Sequence, residues 1–575
     1  MDSGGLVRLA APAVGRRRVD PWVVAALVLA GVLALLVLNP VLRLFASSVT
    51  DPKDGGWTLA NYVFAFSRPR YVQAFWTSLQ LGAAVTGMCF VLAVPLAWLV
   101  SRTDMPAKGA IRMLVLASFV MPPYLGAIGW ILLAGPNAGW LNQAFRAVTG
   151  FEGALFDIYS FEGLAFVIAL YTFPFLFVFA TGALDLVSSE MEDAANILGA
   201  GTLRTARRVT LPLVLPALLA GGIVTFLETI SLVGTPALIA LPARVNVITT
   251  QLMQFFAPPI RAEVAAAYTM PLLLVTVGLY LLQQRLVGRR GFVTLGGKGG
   301  ERRMIRLGVW RWAAFAWAGV IVLLALVLPS LVLAQAAFAK AWGRGLSFEN
   351  LTLGNFEYLL FRHPGARGSI VNSFTYAGAA ATVAMLLAIG IAYIVSRRMV
   401  RFGGALSLLC MTPFVIPGIV LAIAFYGAYA PPPFSLYGTG LILVLAFTTR
   451  FLPVAYSSVG ASLRSINPEM EEAVRILGGG RGTAIRRVIA PLMKRSLVGA
   501  WLLVFIPASR ELSTAMFLYG PNTRPMSIML LDLSEEGNFE LLAALGFLLL
   551  AATFAIVAIG MSLVGRDFML RRTRE

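Results

Sequence analysis

Charged residues are scarce in this chain, since they make up 13% of its 575 residues while hydrophobic residues make up 58%. Soluble globular domains carry about 25% charged residues. The mean hydropathy of +0.81 points in the same direction. This composition excludes an ordinary soluble domain and predicts a polytopic membrane protein.

Cysteine and histidine are nearly absent. Cys89 and Cys410 both lie in apolar segments, so we expect small core residues and no disulfide. The single histidine, His363, precedes Pro364 in a polar loop and lacks the converging ligands that a metal site requires. The spans also offer no nucleophile and base pair. The sequence therefore predicts no catalytic residue, no metal site and no cofactor.

The basic charge of the chain needs a different explanation from that of a soluble protein. The formal net charge is +19, which in a soluble protein would suggest nucleic acid. In a membrane protein, Lys and Arg gather in cytoplasmic loops because of the positive-inside rule. We therefore expect membrane lipid, and no nucleic acid, as a partner.

Twelve apolar runs are long enough to cross the hydrocarbon core of a bilayer, which is about 30 Å thick. The runs lie near residues 22–42, 76–101, 112–134, 161–185, 213–241, 264–286, 312–338, 370–396, 404–429, 438–463, 496–519 and 540–564. Lys and Arg concentrate in alternate loops and in both tails. This bias predicts a multi-pass protein of the bacterial inner membrane with both termini in the cytoplasm.

The chain contains an internal duplication. Residues 189–212, SEMEDAANILGAGTLRTARRVTLP, align without a gap with residues 468–491, PEMEEAVRILGGGRGTAIRRVIAP. Residues 77–102 similarly match residues 372–397. Two six-span units in the same orientation are predicted to pack about a pseudo-twofold axis, with a path between them.

This duplication predicts three parts in the chain. The first repeat is expected over residues 1–286, a basic cytosolic linker over 287–311 and the second repeat over 312–575. The linker carries the flexible sequence GGKGG. The fold class is therefore all-α integral membrane, with about twelve transmembrane helices in two parallel repeats.

Each repeated polar stretch is predicted to form a short helix on the cytosolic side. Acidic residues open the helix, where they favour the positive end of its dipole. Gly199 and Gly478 are placed to end it in the left-handed conformation. One apolar face runs along each helix, through Ile197 and Leu198 in the first copy and through Ile476 and Leu477 in the second. Such a face is expected to fill a groove, although capped helices that merely join spans are the structural alternative.

The repeated stretch resembles the EAA motif of permease subunits of binding-protein-dependent (type I) ABC importers. The residues that carry the resemblance are Asp193, Ala194, Gly199, Val209 and Pro212 in the first copy and Glu472, Ala473, Gly478, Val488 and Pro491 in the second. Copy one has Asp where Glu is usual, and copy two has Val474 for the second Ala. The resemblance covers most of both halves and implies the MetI-like fold.

What this resemblance implies is a division of labour between subunits. In that family the EAA loop is a coupling helix that seats in a cleft of a separate ATP-binding subunit, here expected as a dimer, while a periplasmic solute-binding protein delivers the substrate. The chain itself has no GxxxxGK[ST] motif, since Lys298 in GGKGG lacks its context. The expected coupling residues are Glu192, Asp193, Ala194, Gly199, Arg207, Arg208, Glu471, Glu472, Ala473, Gly478, Arg486 and Arg487.

Four charged residues lie within or near the apolar spans, where an ionised side chain is costly unless it is paired or wetted. They are Glu228, Arg450, Arg510 and Glu511. We expect them to face a cavity or one another. One interpretation is a translocation path or gate, and the other is a structural ion pair or snorkelling near an interface. The duplication does not mirror these residues, so the path is expected to be asymmetric.

The identity of the solute is suggested only by the resemblance to known permeases. A fused permease of this length, with the segment Arg510 to Gly546, resembles the ferric-iron group, which implies iron(III) as cargo. Related permeases for thiamine, phosphonate or polyamine are the alternatives. An ion-coupled secondary transporter is the rival of another class, because it would need intramembrane acids but no paired coupling stretches.

Overall fold

The computed structural model describes residues 21–187, 189–288, 304–345 and 347–564. Helices dominate these residues, and the pairing of extended segments among them is limited to isolated bridges such as Thr50 with Trp57. The predicted basic tails and residues 289–303 of the predicted linker lie outside the described residues. Cys89 and Cys410 are buried and free, as their apolar surroundings predicted.

The first half is a series of long helices joined by shorter ones. Its helices are α1 (Pro21–Ser48), α2 (Ala60–Ser67), α3 (Pro69–Arg102), α4 (Lys108–Ser118), α5 (Pro123–Ala134), α6 (Trp140–Thr149), α7 (Phe161–Leu186), α8 (Ser189–Ile197), α9 (Thr202–Ser231), α10 (Gly234–Ile239), α11 (Ile248–Phe256) and α12 (Ala262–Gly288).

The second half repeats most of this order, although its described residues 430–439 contain no counterpart of α6. Its helices are α13 (Trp310–Ala337), α14 (Ala366–Ser396), α15 (Gly403–Phe414), α16 (Gly418–Tyr429), α17 (Gly440–Arg464), α18 (Glu469–Ile476), α19 (Arg481–Ser509), α20 (Met526–Glu535) and α21 (Phe539–Val564). Short helical turns at Trp342–Arg344, Phe348–Asn350, Gly354–Glu357 and Tyr358–Arg362 precede α14.

Ten helices in the described residues are long and apolar enough to cross a membrane, and two bent pairs raise the number to as many as twelve. Two of the predicted spans, 112–134 and 404–429, each consist of two helices that meet at a bend. The first is divided into α4 and α5, which meet at 98°, and the second into α15 and α16, which meet at 112°. The prediction of all-helical structure with about twelve spans is confirmed.

Proline explains where these two spans break. Pro122 and Pro417 each directly precede the second helix of a pair, and both have extended backbones, with ψ of 137° and 144°. Proline has no N–H to donate and disfavours helical geometry in the residue before it. A helix that reaches such a position ends there, and the following helix starts in a new direction.

The bent pair α4–α5 still carries the chain from one face of the bundle to the other. Arg102 at the end of α3 donates a hydrogen bond to the carbonyl oxygen of Leu184 near the end of α7, at 2.7 Å. Because both helices end on the same face, the chain between them must return across the bundle. This bent pair therefore accounts for one crossing.

The first helix of each half packs against the other half. In α1, the carbonyl oxygen of Leu36 accepts a hydrogen bond from the Thr449 hydroxyl of α17 at 3.4 Å. In α13, Pro329 lies so close to Gly129 of α5 that a Cβ added at the glycine would sit 2.8 Å from the proline ring. The two halves are thus interlocked through exchanged helices.

Both repeated polar stretches lie on the same face of the bundle. The end of α1 lies at the opposite face together with α2, since the Asn61 amide of α2 donates a hydrogen bond to the carbonyl oxygen of Ser48 at 3.3 Å. Because α2 leads directly into α3, the start of α3 lies at this face as well. The end of α3 and the start of α1 therefore share the other face. Arg102 lies there next to α8, and Trp22 contacts Tyr393, 5.6 Å between ring centroids, next to α18.

Candidate functional sites

The two predicted coupling helices form where the sequence placed them, as α8 and α18. Both end at a glycine with positive φ, 82° at Gly199 and 81° at Gly478. A residue with a Cβ is strained in this conformation. The glycines turn the chain sharply at the end of α8 and of α18, and we call residues 189–201 and 468–480 the two knobs.

The tip of each knob exposes a matched pair of large apolar side chains. Ile197 and Leu198 are 86% and 87% exposed, and Ile476 and Leu477 are 85% and 87% exposed. Leaving such side chains in water forgoes roughly 1.5–3 kcal/mol each relative to burial. Two identical apolar pairs on one face indicate a docking surface with two equivalent contacts.

The other predicted coupling residues surround these tips. Those that are exposed are Ala194, Gly199, Arg207, Arg208, Glu472, Ala473, Gly478, Arg486 and Arg487. Asp193 is half-buried. The arginine pairs lie on the wide π-helical turns Ala206–Thr210 and Ile485–Ile489, which precede Pro212 and Pro491. A proline removes one helical hydrogen bond, and the wider turn accommodates that loss.

Glu192 is buried inside this chain rather than exposed at the knob. Its Oε2 pairs with Nη1 of Arg102 at 3.3 Å, and its Oε1 accepts a hydrogen bond from the Thr210 hydroxyl at 2.7 Å. Arg102, which is 1% exposed, also donates Nη2 to the carbonyl oxygens of Leu184 and Val187. The carboxylate thus faces the bundle.

Glu471 has the equivalent environment in the second half. Arg397 donates both Nε, at 2.7 Å, and Nη2 to its Oε1, while the Tyr393 hydroxyl donates to Oε2 at 3.1 Å. Sequence reasoning did not single out Arg102 or Arg397 as site residues. The available signal was the matched ends LVSR and IVSR of the two aligned segments.

The four intramembrane charges converge between the halves, as expected. Arg450 pairs through Nε with Oε2 of Glu511 at 3.1 Å. Arg510 donates Nη1 to the carbonyl oxygens of Phe119 and Val120, which are left without helical partners at the break between α4 and α5. The second half therefore supplies two arginines, and the bend in the first half receives one of them.

The first half contributes the remaining acid. Glu228 of α9 is half-buried and lies within electrostatic range of Arg450, Arg510 and Glu511. A Cβ added at Gly418, the first residue of α16, would lie 1.6 Å from Nη1 of Arg450. The glycine therefore provides the space that the guanidinium occupies. We call Glu228, Arg450, Arg510 and Glu511 the charged cluster.

Two buried tyrosines near this level were not predicted. Among the described residues, the hydroxyls of Tyr124 and Tyr171 are buried without a hydrogen-bond partner. Tyr124 lies within electrostatic range of Arg510 and Glu511. Tyr171 occupies in α7 the position that Arg450 occupies in α17, and it packs against Gly126 of α5. Tyrosine in an apolar segment looks like an ordinary core residue, so the sequence pattern did not single out these two side chains.

A cavity opens between the halves on the face opposite the knobs. Its volume is about 310 Å³. Its lining includes Phe256 from the first half and Tyr437, Phe517, Tyr519 and Arg524 from the second. Arg524 pairs with Asp532 at 3.1 Å, so its charge is balanced.

Comparison with known proteins places these features in a family. Residues 89–292 match the model of the binding-protein-dependent transport system inner membrane component. A ferric transport system permease protein of Actinobacillus pleuropneumoniae is 27% identical over 76% of this chain, and the match spans 63% of that relative's length. The chain is thus shorter than this relative.

Two further relatives extend the comparison. A putative ferric transport system permease of Haemophilus influenzae is 26% identical over 88% of this chain and 79% of its own length. A probable molybdenum ABC transporter permease of Haloferax volcanii is 31% identical over 46% of this chain and 91% of its own length. This chain belongs to the family of binding-protein-dependent transport system inner membrane components, as an ABC importer permease.

Proposed function

We propose that this chain moves a solute into the cytoplasm with energy from ATP that a separate subunit hydrolyses. The observation that carries the proposal is the pair of knobs, which expose the same two apolar side chains on the same face. A dimeric ATP-binding subunit has two equivalent clefts, and one cleft per knob matches that symmetry. The knob face is the cytoplasmic face in this proposal, in line with its basic loops.

The charged cluster belongs to the translocation path in this proposal. It lies where helices of both halves meet, and the ion pair Arg450–Glu511 lies between the knobs and the cavity on the opposite face. Charges at membrane depth favour contact with water or with a polar solute. A periplasmic solute-binding protein docks on the face opposite the knobs and delivers the solute to this path.

Iron(III) is the proposed cargo. The support is that two relatives covering most of this chain are named as ferric transport permeases. Thiamine, phosphonate and polyamine remain the alternatives, and a further relative is named for molybdenum. The test is uptake of radiolabelled iron(III), supplied on the binding protein, into vesicles that contain the chain and its ATP-binding subunit. Equal uptake of iron(III) by vesicles that lack this chain would contradict the assignment.

The knobs can be tested separately from the cargo. We expect Leu198→Asp together with Leu477→Asp to abolish co-purification of the ATP-binding subunit, because a charge replaces the apolar contact at each tip. Leu353→Asp, at an exposed position on the face opposite the knobs, is the control. Normal co-purification of the double variant would refute the docking role. Uptake driven by membrane potential without ATP would favour an ion-coupled secondary transporter instead.

A further inference from the structure

Each knob is attached to the bundle through very little buried surface. Among the described side chains of α8, Glu192 alone is buried, and in α18 the one buried side chain is Glu471. Every other described side chain in these two helices is exposed or half-exposed. Apolar packing therefore contributes little to the contact of these helices with the bundle, and Glu192 and Glu471 are their buried polar contacts with it.

Both glutamates meet an arginine at the end of the longest helix of their half. Arg102 is the last residue of α3, and Arg397 directly follows α14. A buried guanidinium is tolerated only when its charge is paired and its hydrogen bonds are made. Charge-assisted hydrogen bonds of this kind are short and directional. The contact therefore behaves as a defined joint between knob and long helix.

The long helices lead from this joint to the path. The packing of α14 along α17 is the most extensive between any two described helices, and that of α3 along α7 comes next. Arg450 lies on α17, and Tyr171 occupies the corresponding position on α7. A displacement of either knob would thus reach the level of the charged cluster through two packed helices that deform little.

We propose that the ion pairs Arg102–Glu192 and Arg397–Glu471 are the links through which each knob moves the long helix of its half. This inference rests on the proposed function. It assigns all four as positioning residues: Glu192 and Glu471 act through this chain's own helices and do not contact the ATP-binding subunit. If a link is broken, we expect the knob to stay bound to the ATP-binding subunit and ATP to be hydrolysed, but α3 or α14 no longer to move with the knob.

The two links are not identical. Arg102 also holds the end of α7 through the carbonyl oxygens of Leu184 and Val187, and Glu192 reaches Thr210 of α9. In the described residues, Arg397 bonds to Glu471, and Tyr393 shares that carboxylate. The first link thus joins four helices and the second joins two. The second is the simpler one to test by exchange of charges.

The test uses the full chain in lipid nanodiscs with its ATP-binding subunit. A reporter cysteine replaces Met516 in the outer cavity, and ATP-dependent labelling of this cysteine by a maleimide measures outward movement independently of the cargo. Background labelling is low because Cys89 and Cys410 are buried. The variants are Glu192→Gln and Glu471→Gln. Glu469→Gln makes the same change of charge at an exposed position of α18 and serves as the control.

We expect both link variants to retain the ATP-binding subunit and to hydrolyse ATP, while the ATP-dependent change in labelling rate falls about tenfold. The control should behave as the parent does. Exchanging the charges, with Arg397→Glu and Glu471→Arg together, should restore part of the response. An undiminished response in both link variants would overturn the inference, as would loss of the ATP-binding subunit from them. Failure of the parent chain to retain that subunit would instead refute the proposed function.

Discussion

The contact between Arg450 and Glu511 shows what one residue can decide in this molecule. The two side chains are mostly buried, with 21% and 9% of their surfaces exposed. Two opposite charges that are removed from water must compensate each other, because each alone would face a large desolvation cost. The pair is therefore sensitive to the loss of either partner.

This sensitivity gives a prediction for stability. Arg450→Gln or Glu511→Gln alone should lower the free energy of unfolding by about 3–5 kcal/mol, because each leaves the charged cluster with one unbalanced buried charge. The double variant should lose clearly less than the sum of the two. The measurement is denaturant unfolding in detergent micelles, arranged as a double-mutant cycle. Additive losses would show that the two charges do not stabilise each other.

The same double variant separates structure from transport. If the cluster belongs to the path, a folded double variant should still bind the ATP-binding subunit but lose uptake of radiolabelled iron(III). Full uptake would leave the pair a purely structural role.

The sequence predicted at this scale that the four intramembrane charges would face a cavity or one another, because isolated charges at membrane depth are too costly. It did not predict that Arg510 would bind the carbonyl oxygens of Phe119 and Val120. Those acceptors exist because a helix breaks nearby, and the partner of a backbone carbonyl is set by three-dimensional packing. Tyr124 and Tyr171 were missed for a similar reason, since their residue type fits a core equally well.

At the scale of the helix, each knob depends on its terminal glycine. Gly199→Ala and Gly478→Ala should each cost about 1–2 kcal/mol, because alanine is strained at the positive φ of these positions. We expect the affinity for the ATP-binding subunit to fall about tenfold. Gly201→Ala and Gly480→Ala are matched controls, since both glycines have extended backbones with open space where a Cβ would be. Binding that is equally weak in the controls would contradict this account.

The helices also show which details of the predicted spans the sequence left open. Uninterrupted apolar runs such as 161–185 correspond closely to helices, here α7. Hydropathy measures composition and carries no information about the direction of a helix axis. Each of the apolar runs 112–134 and 404–429 therefore covers two helices that meet at a bend. Pro122 and Pro417 lay within or at the ends of those runs, but proline in a membrane helix permits either a kink or a full break. The choice depends on the neighbouring helices.

At the scale of the whole molecule, the exchanged helices hold the two halves together. We expect residues 1–288 and residues 304–575, produced as two separate polypeptides, to co-purify, because α1 packs on the second half and α13 on the first. Removing residues 21–48 should weaken this association, and removing α6, an amphipathic helix at the periphery of the first half, is the control. Separate elution of the two intact halves would show that the covalent connection is needed.

The duplication was readable from the sequence because the aligned segments match without internal gaps and keep their order. The exchange of first helices was not, since α1 and α13 carry apolar residues on all sides and nothing in their composition selects a partner. The assignment of repeats to residues 1–286 and 312–575 remains a prediction about folding units, and the split-chain experiment tests it.

The exchange also bears on how the protein is made. While the ribosome is still translating the second half, the groove around Gly129 of α5 lacks Pro329 of its eventual occupant. Until α13 is made, this groove on the nascent first half is therefore unoccupied in the bilayer. Lipid or an insertion chaperone covers it during that time. In a stalled nascent chain that ends before residue 310, a photoreactive side chain placed at residue 129 should accordingly crosslink to lipid or to an insertion chaperone, whereas in the completed chain it should crosslink to α13.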